Sequence, residues 1–192
     1  MAWIVEDRRR ADFDKQAGPY LTDALKNRLR ETYFPRYPTK RAVLLPALHM
    51  VQHEYNWIPT AAIQEIAEFL EIAPAEALDT ATFYEEYWLK PKGKYLVQVC
   101  RSLSCEICGS KQITEHVKKK LNVEVGETTP DGKFTLVELE CLGSCGTAPV
   151  VLVNDVLKEN VTPQDIDKEL DALPADPHDY KDPTVTWHED HH

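Results

Sequence analysis

Apolar residues recur every three or four positions through the first half of the chain and alternate in much of the second. After a polar stretch over residues 1–20, closed by Gly18 and Pro19, Thr22 stands as an N-cap. Leu25, Leu29 and Tyr33 follow four apart, a single helical stripe that Pro35 and Pro38 should end. A second helix is expected after Thr39, burying Val43, Leu44, Ala47, Leu48, Val51 and Tyr55. Pro46 lies inside it and should kink it or split off its first turn. AAIQEIAEFLEI predicts a third helix, with Ile63, Ile66, Ala67 and Leu70 on one face. Pro74 occupies the first position of a fourth, over 75–84. Four short helices with short links predict a small helical bundle.

The period then changes. Residues 95–99 are a β-branched run leading into Cys100. Ile113, Val117 and Leu121 predict a helix over 110–121, with Lys118, Lys119 and Lys120 complementing its negative end. Pro130-Asp131-Gly132 marks a turn. Residues 134–140 alternate as a strand that delivers Cys141, and 150–157 read as a hairpin turning at Asn154-Asp155. Thr162-Pro163 opens a last helix that runs to about Leu173. The expected class is α+β: an arm over 1–20, a helical bundle over 21–90, an α/β domain over 91–173, and a tail over 174–192. That tail is acidic and proline-rich, with no apolar period, and disorder or ordering only on a partner is expected of it.

Composition removes several functions. The chain has 192 residues and a formal charge of −10, and no stretch is basic enough for nucleic acid to be an expected partner. No apolar run approaches the ~20 residues of a membrane span. MAWIVEDRRRADF lacks the apolar centre of an export signal, so a cytoplasmic location is expected. There, cysteines serve metals more often than disulfides. No glycine-rich phosphate loop appears, so neither NADH nor FMN is expected on this chain. No nucleophile–base set stands out either. His49 and His53, four apart on a helix, lack an evident third ligand and read as ordinary histidines. Trp57, Tyr87 and Trp88 are expected to pack between the two domains.

The chemistry gathers at Cys100, Cys105, Cys141 and Cys145. Four thiolates suit a zinc ion or an iron–sulfur cluster. Structural zinc sites favour two residues between paired ligands. Here the gaps are four and three, long enough for backbone amides to wrap inorganic sulfide. Gly143 and Gly146 let the chain come close to such a centre. One-electron reduction adds negative charge to a cluster inside an acidic protein, so a low potential is expected.

ATFY at 81–84, LKPKGKYLVQVC at 89–100, Cys105, and ECLGSCGTAPVVLVND at 140–155 resemble the 24-kDa subunit of respiratory complex I, the E-type subunit of bacterial NADH–quinone oxidoreductase. The likeness runs from about residue 20 to 173. It implies an N-terminal helical bundle followed by a thioredoxin-like 2Fe-2S ferredoxin domain. It implies one 2Fe-2S cluster on Cys100, Cys105, Cys141 and Cys145, with no catalytic residue in this chain. FMN and NAD would sit on a flavoprotein partner subunit, and the chain would be an electron carrier, cytoplasmic and peripheral to the inner membrane through its complex. NAD-linked hydrogenases and formate dehydrogenases use the same module. Cys108 departs from this pattern. It is expected to be a small residue packed beside the site, near a helix start, with a ligand exchange with Cys105 as the alternative. Two other classes stay open: a zinc-stabilised assembly module, and a thiol oxidoreductase using the Cys105–Cys108 pair.

Overall fold

A computed structural model describes residues 17–175 and Pro177. The expectations for 1–16 and for the tail beyond Pro177 lie outside the described residues. The chain forms two units, one ending at Pro91 and the other beginning at Lys92.

In the first unit α1 spans Asp23–Arg28, with the Thr22 hydroxyl accepting from the Leu25 N–H at 3.3 Å. The helical path then widens into a π turn over Leu29–Tyr33 and tightens into a 3-10 turn over Phe34–Arg36. Pro35, which has no N–H to give, sits in that last turn. The second helix is divided, as Pro46 allows. A 3-10 turn over Lys40–Val43, capped by Thr39, precedes α2 over Leu44–Tyr55. Pro46 therefore falls in the first turn of α2, where an N–H has no helical acceptor anyway. α3 covers Thr60–Leu70, and α4 covers Pro74–Phe83 behind its proline. Leu29, Leu48, Val51, Ile58 and Ile66 are fully buried among these helices. Tyr87 belongs to this core, and its hydroxyl donates to the Leu45 carbonyl at 3.2 Å.

The second unit is built on a four-stranded sheet in the order β2–β1–β3–β4. β1 is Tyr95–Cys100 and β2 is Phe134–Leu139, and the two run parallel. β3, Val151–Val153, runs antiparallel to β1 and forms a hairpin with β4, Val156–Lys158. The Asn154 side chain accepts from the Leu96 N–H at 2.8 Å, which ties the hairpin turn to β1. α5 spans Leu103–Ile107, α6 spans Ser110–Leu121 and α7 spans Pro163–Ala172. α5 has five residues, too few for its apolar period to show in the sequence. Tyr95, Val97 and Val99 pack with Ile113 and Val117 of α6 and Ile166 and Leu170 of α7. Burying each such aliphatic stabilises by about 1.5–3 kcal/mol. Successive strand residues face opposite sides, so Leu96, Gln98 and Cys100 point away from those helices. α7 starts with a reciprocal cap between Thr162 and Asp165.

Lys118 and Lys120 do more than meet a helix end. Lys118 pairs with Glu124 at 2.8 Å, and Lys120 pairs with Asp171 at 2.8 Å across α6 and α7. Asp167 of α7 also lies 2.9 Å from His116 of α6.

Two outcomes follow from this packing. A Cβ on Gly93 would lie 2.6 Å from the backbone of Phe134. Gly93→Ala is therefore expected to destabilise the chain by about 1–3 kcal/mol, read by denaturant unfolding. His116, and then Lys120, hold the Asp167 carboxyl below its ordinary value of 3.8. That stabilisation is complete above the unfolded value and is lost as pH falls through the depressed one. Asp167→Asn should accordingly lower the melting temperature at neutral pH, and the gap to the parent should close as pH falls through the depressed value of Asp167.

Candidate metal centre

The sheet topology assembles the four sequence-predicted thiols. Cys100 is the last residue of β1, paired with Leu139 at the end of β2. Because these strands are parallel, both loops leave the same edge of the sheet. β3 runs the other way, so it begins at that edge too. The segment from β2 to β3 must therefore pass across the end of β1, which lies between them. Cys141 and Cys145 ride on that segment. Its course is fixed by the Arg101 N–H donating to the Leu139 carbonyl at 2.9 Å and the Cys100 N–H donating to the Val150 carbonyl at 3.2 Å. An Arg101–Glu140 ion pair joins the two thiol loops.

Cys105 comes from α5. The helix turns Cys105 inward, 1% exposed, while Leu103 and Ile107 stand outward at 73% and 77%. Cys100 is equally buried, and both pack with Val150 beside Leu142, Ala148 and Leu157. Cys141 and Cys145 are exposed. One thiol pair is thus inside the domain and the other is at its surface.

The thiols interact with one another. Burial pushes the Cys105 thiol above its ordinary value, and Cys100 and Cys145 add to that, while the Val150 N–H opposes it. Cys141 moves the opposite way. The Gly143 N–H reaches its sulfur at 3.4 Å and holds it below the usual thiol value, helped by Cys145, Ser102 and Cys100. Gly143 has φ +78, a torsion that favours glycine, and it is this turn that aims the amide at the sulfur. Cys100 thus lies beside both Cys105 and Cys141, Cys141 lies beside Cys145, and Cys145 acts on Cys105 through its charge. A 2Fe-2S core takes two ligands on each iron, and soft sulfur donors with nearby amides fit its demands.

Cys108 is placed differently from its expectation. It is exposed, caps the end of α5 and precedes Gly109, which caps α6. His49 and His53 are exposed on α2.

A feature the sequence did not announce is Glu159, in the loop after β4. Its carboxylate accepts from the Thr147 hydroxyl at 2.7 Å and the Ser144 hydroxyl at 2.9 Å. Those two hydroxyls, Thr147 foremost, hold its carboxyl below the ordinary glutamate range. Only spatial proximity reveals this link, because twelve positions separate Thr147 from Glu159.

The thioredoxin-like 2Fe-2S ferredoxin family model matches residues 30–174. NADH-quinone oxidoreductase subunit 2 of Thermus thermophilus is 44% identical over 129 residues, covering 66% of this chain and 71% of that protein. The NADH-quinone oxidoreductase E subunit of Rickettsia felis is 41% identical over 151 residues, covering 77% of this chain and 90% of that one. Among solved structures, an NAD+-reducing NiFe-hydrogenase in its H2-reduced state superposes with a TM-score of 0.61 at 21% identity. That match covers 69% of this chain but only 23% of the hydrogenase chain, and it speaks to fold alone.

The contrast between the two thiol pairs has a chemical readout. In metal-free protein at neutral pH, iodoacetamide should modify Cys141 well before Cys105, as peptide mapping by mass spectrometry would record. The reason is that thiolate fraction and access both favour the former.

Proposed function

We propose, for a chain that belongs to the thioredoxin-like 2Fe-2S ferredoxin family and within it to the E-type, 24-kDa subunits of NADH–quinone oxidoreductase, the work of a one-electron carrier in an NADH dehydrogenase. The observation that carries this reading is the meeting of four thiols from two separated loops at one edge of the sheet. A 2Fe-2S cluster bound by Cys100, Cys105, Cys141 and Cys145 supplies one reversible electron. The four thiolates would hold the cluster, two to each iron.

The chain's own residues divide the remaining tasks. Val150 and Gly143 direct backbone N–H groups at the sulfurs of Cys105 and Cys141 and offset negative charge there. The buried pair and its apolar neighbours keep water from one side. The exposed pair leaves the other side open to a redox partner. Leu103 and Ile107, standing out on the helix that carries Cys105, supply apolar surface next to that opening. The partner we infer is a flavoprotein subunit that holds FMN and binds NAD, with this chain contributing no catalytic residue. The location inferred is cytoplasmic, peripheral to the membrane through the complex. No helix among the described residues is long and apolar enough to cross a membrane.

Anaerobically purified protein should contain about two irons and two acid-labile sulfides per chain and give a rhombic EPR signal after dithionite. Cys141→Ser is expected to abolish that signal or cut iron content severely, because serine is a harder, more basic donor than thiolate. A colourless product with one zinc would favour the assembly-module reading. Retention of the full cluster in serine variants at all four positions would overturn the ligand assignment.

A further inference from the structure

The loop that carries Cys141 and Cys145 has the sequence CLGSCGTAP, with glycine at 143 and 146. Such a segment has no intrinsic shape that would aim a thiol. It forms a single short 3-10 turn over Cys145–Thr147, closed by the Thr147 N–H on the Ser144 carbonyl at 3.2 Å. What holds it lies elsewhere in the domain. After β4 the chain turns through Asn160 in the left-handed region, φ +50. The Asn160 N–H donates to the Thr147 carbonyl at 2.8 Å, and the Val161 N–H donates to the Pro149 carbonyl at 2.9 Å. This stitching sets Glu159 against the two hydroxyls that flank Cys145.

Proton accounting makes that contact specific. The Ser144 and Thr147 hydroxyls lie 2.7 Å apart, and each also lies within hydrogen-bond reach of the same Glu159 oxygen. Thr147 further approaches the Ser144 carbonyl at 3.2 Å. Two hydroxyls have only two protons to give. An ionised carboxylate is the strongest acceptor present, so both protons go to it. With their protons directed at Glu159, neither hydroxyl donates to a ligand sulfur. The neighbouring cation, Lys158, is paired with Glu169 at 2.9 Å.

We propose that Glu159 is a positioning residue of the iron–sulfur site. Through Ser144 and Thr147 it holds the Cys145 loop in shape, and it keeps hydroxyl protons away from the ligand sulfurs. This rests on the cluster assignment above. Its direction of action on the potential is determined. Removing the carboxylate removes a nearby negative charge and frees two hydroxyl donors for sulfur. Both changes favour the more negative reduced form, so the midpoint potential rises.

The test uses the full-length chain carrying its cluster, with three variants. Glu159→Ala is expected to release iron to a chelator about 10–100-fold faster than the parent, the usual scale for an outer-shell partner. It should also shift the EPR g-values and raise the midpoint potential. Glu159→Gln keeps an acceptor oxygen but not the charge. It should hold iron nearly as well as the parent while still raising the potential. Ser144→Ala combined with Thr147→Val, which leaves the carboxylate in place, should release iron as fast as Glu159→Ala. Parent-like release, g-values and potential in Glu159→Ala would overturn the role of Glu159 and leave the cluster assignment standing. Parent-like iron release in the double variant would overturn it as well. A parent chain that binds no 2Fe-2S cluster would overturn both.

Discussion

Parallel pairing of β1 with β2 is the constraint on which the site depends. The two strands are six residues long each, so an antiparallel arrangement would have put their outgoing loops about 20 Å apart, at opposite ends of the sheet. Running parallel, they release Cys100 and Cys141 at one edge. Parallel neighbours need a crossover, and α5 and α6 provide it. The crossover is also productive, since α5 brings in Cys105 on its inner face. The sheet order then does the rest, because the path from β2 to β3 has to pass over the end of β1.

The resulting centre is electrically lopsided. Cys100 and Cys105 sit in an apolar pocket where charge is disfavoured, and burial raises the Cys105 thiol. Cys141 and Cys145 sit in water on a glycine-containing loop, where a backbone amide favours the Cys141 thiolate. Opposed environments on the two sides of one site are a familiar device for separating roles among like groups. Here they divide a structural side from an accessible one. The hydroxyls and carboxylate around Cys145 belong to the accessible side.

Much of this architecture was legible in the chain. α6 over Ser110–Leu121, the hairpin about Asn154, and the cap that starts α7 each carry a local signal of period, turn or capping residue. The four thiols stood out by spacing and glycine neighbours. Other features depend on distance through space rather than along the chain. Strand order and direction leave no mark in a strand's own residues. α5 is one turn and a half, shorter than any amphipathic period, so the sequence did not show that Cys108 also closes a helix just before α6 begins. Nothing along the chain announced that the Tyr87 hydroxyl would find a backbone carbonyl on α2. Glu159 was one acid among many until the loop stitched by Asn160 put it beside two hydroxyls.

The register between β1 and β2, which pairs Tyr95 with Phe134 and Cys100 with Leu139, has a bearing on biosynthesis. On a translating ribosome, Cys100 and Cys105 emerge well before the strand that recruits their counterparts has been made. During that interval the nascent chain presents an unpartnered dithiol, able to capture a stray metal ion or an oxidant. All four thiols proposed as ligands are present only once Cys145 has been made.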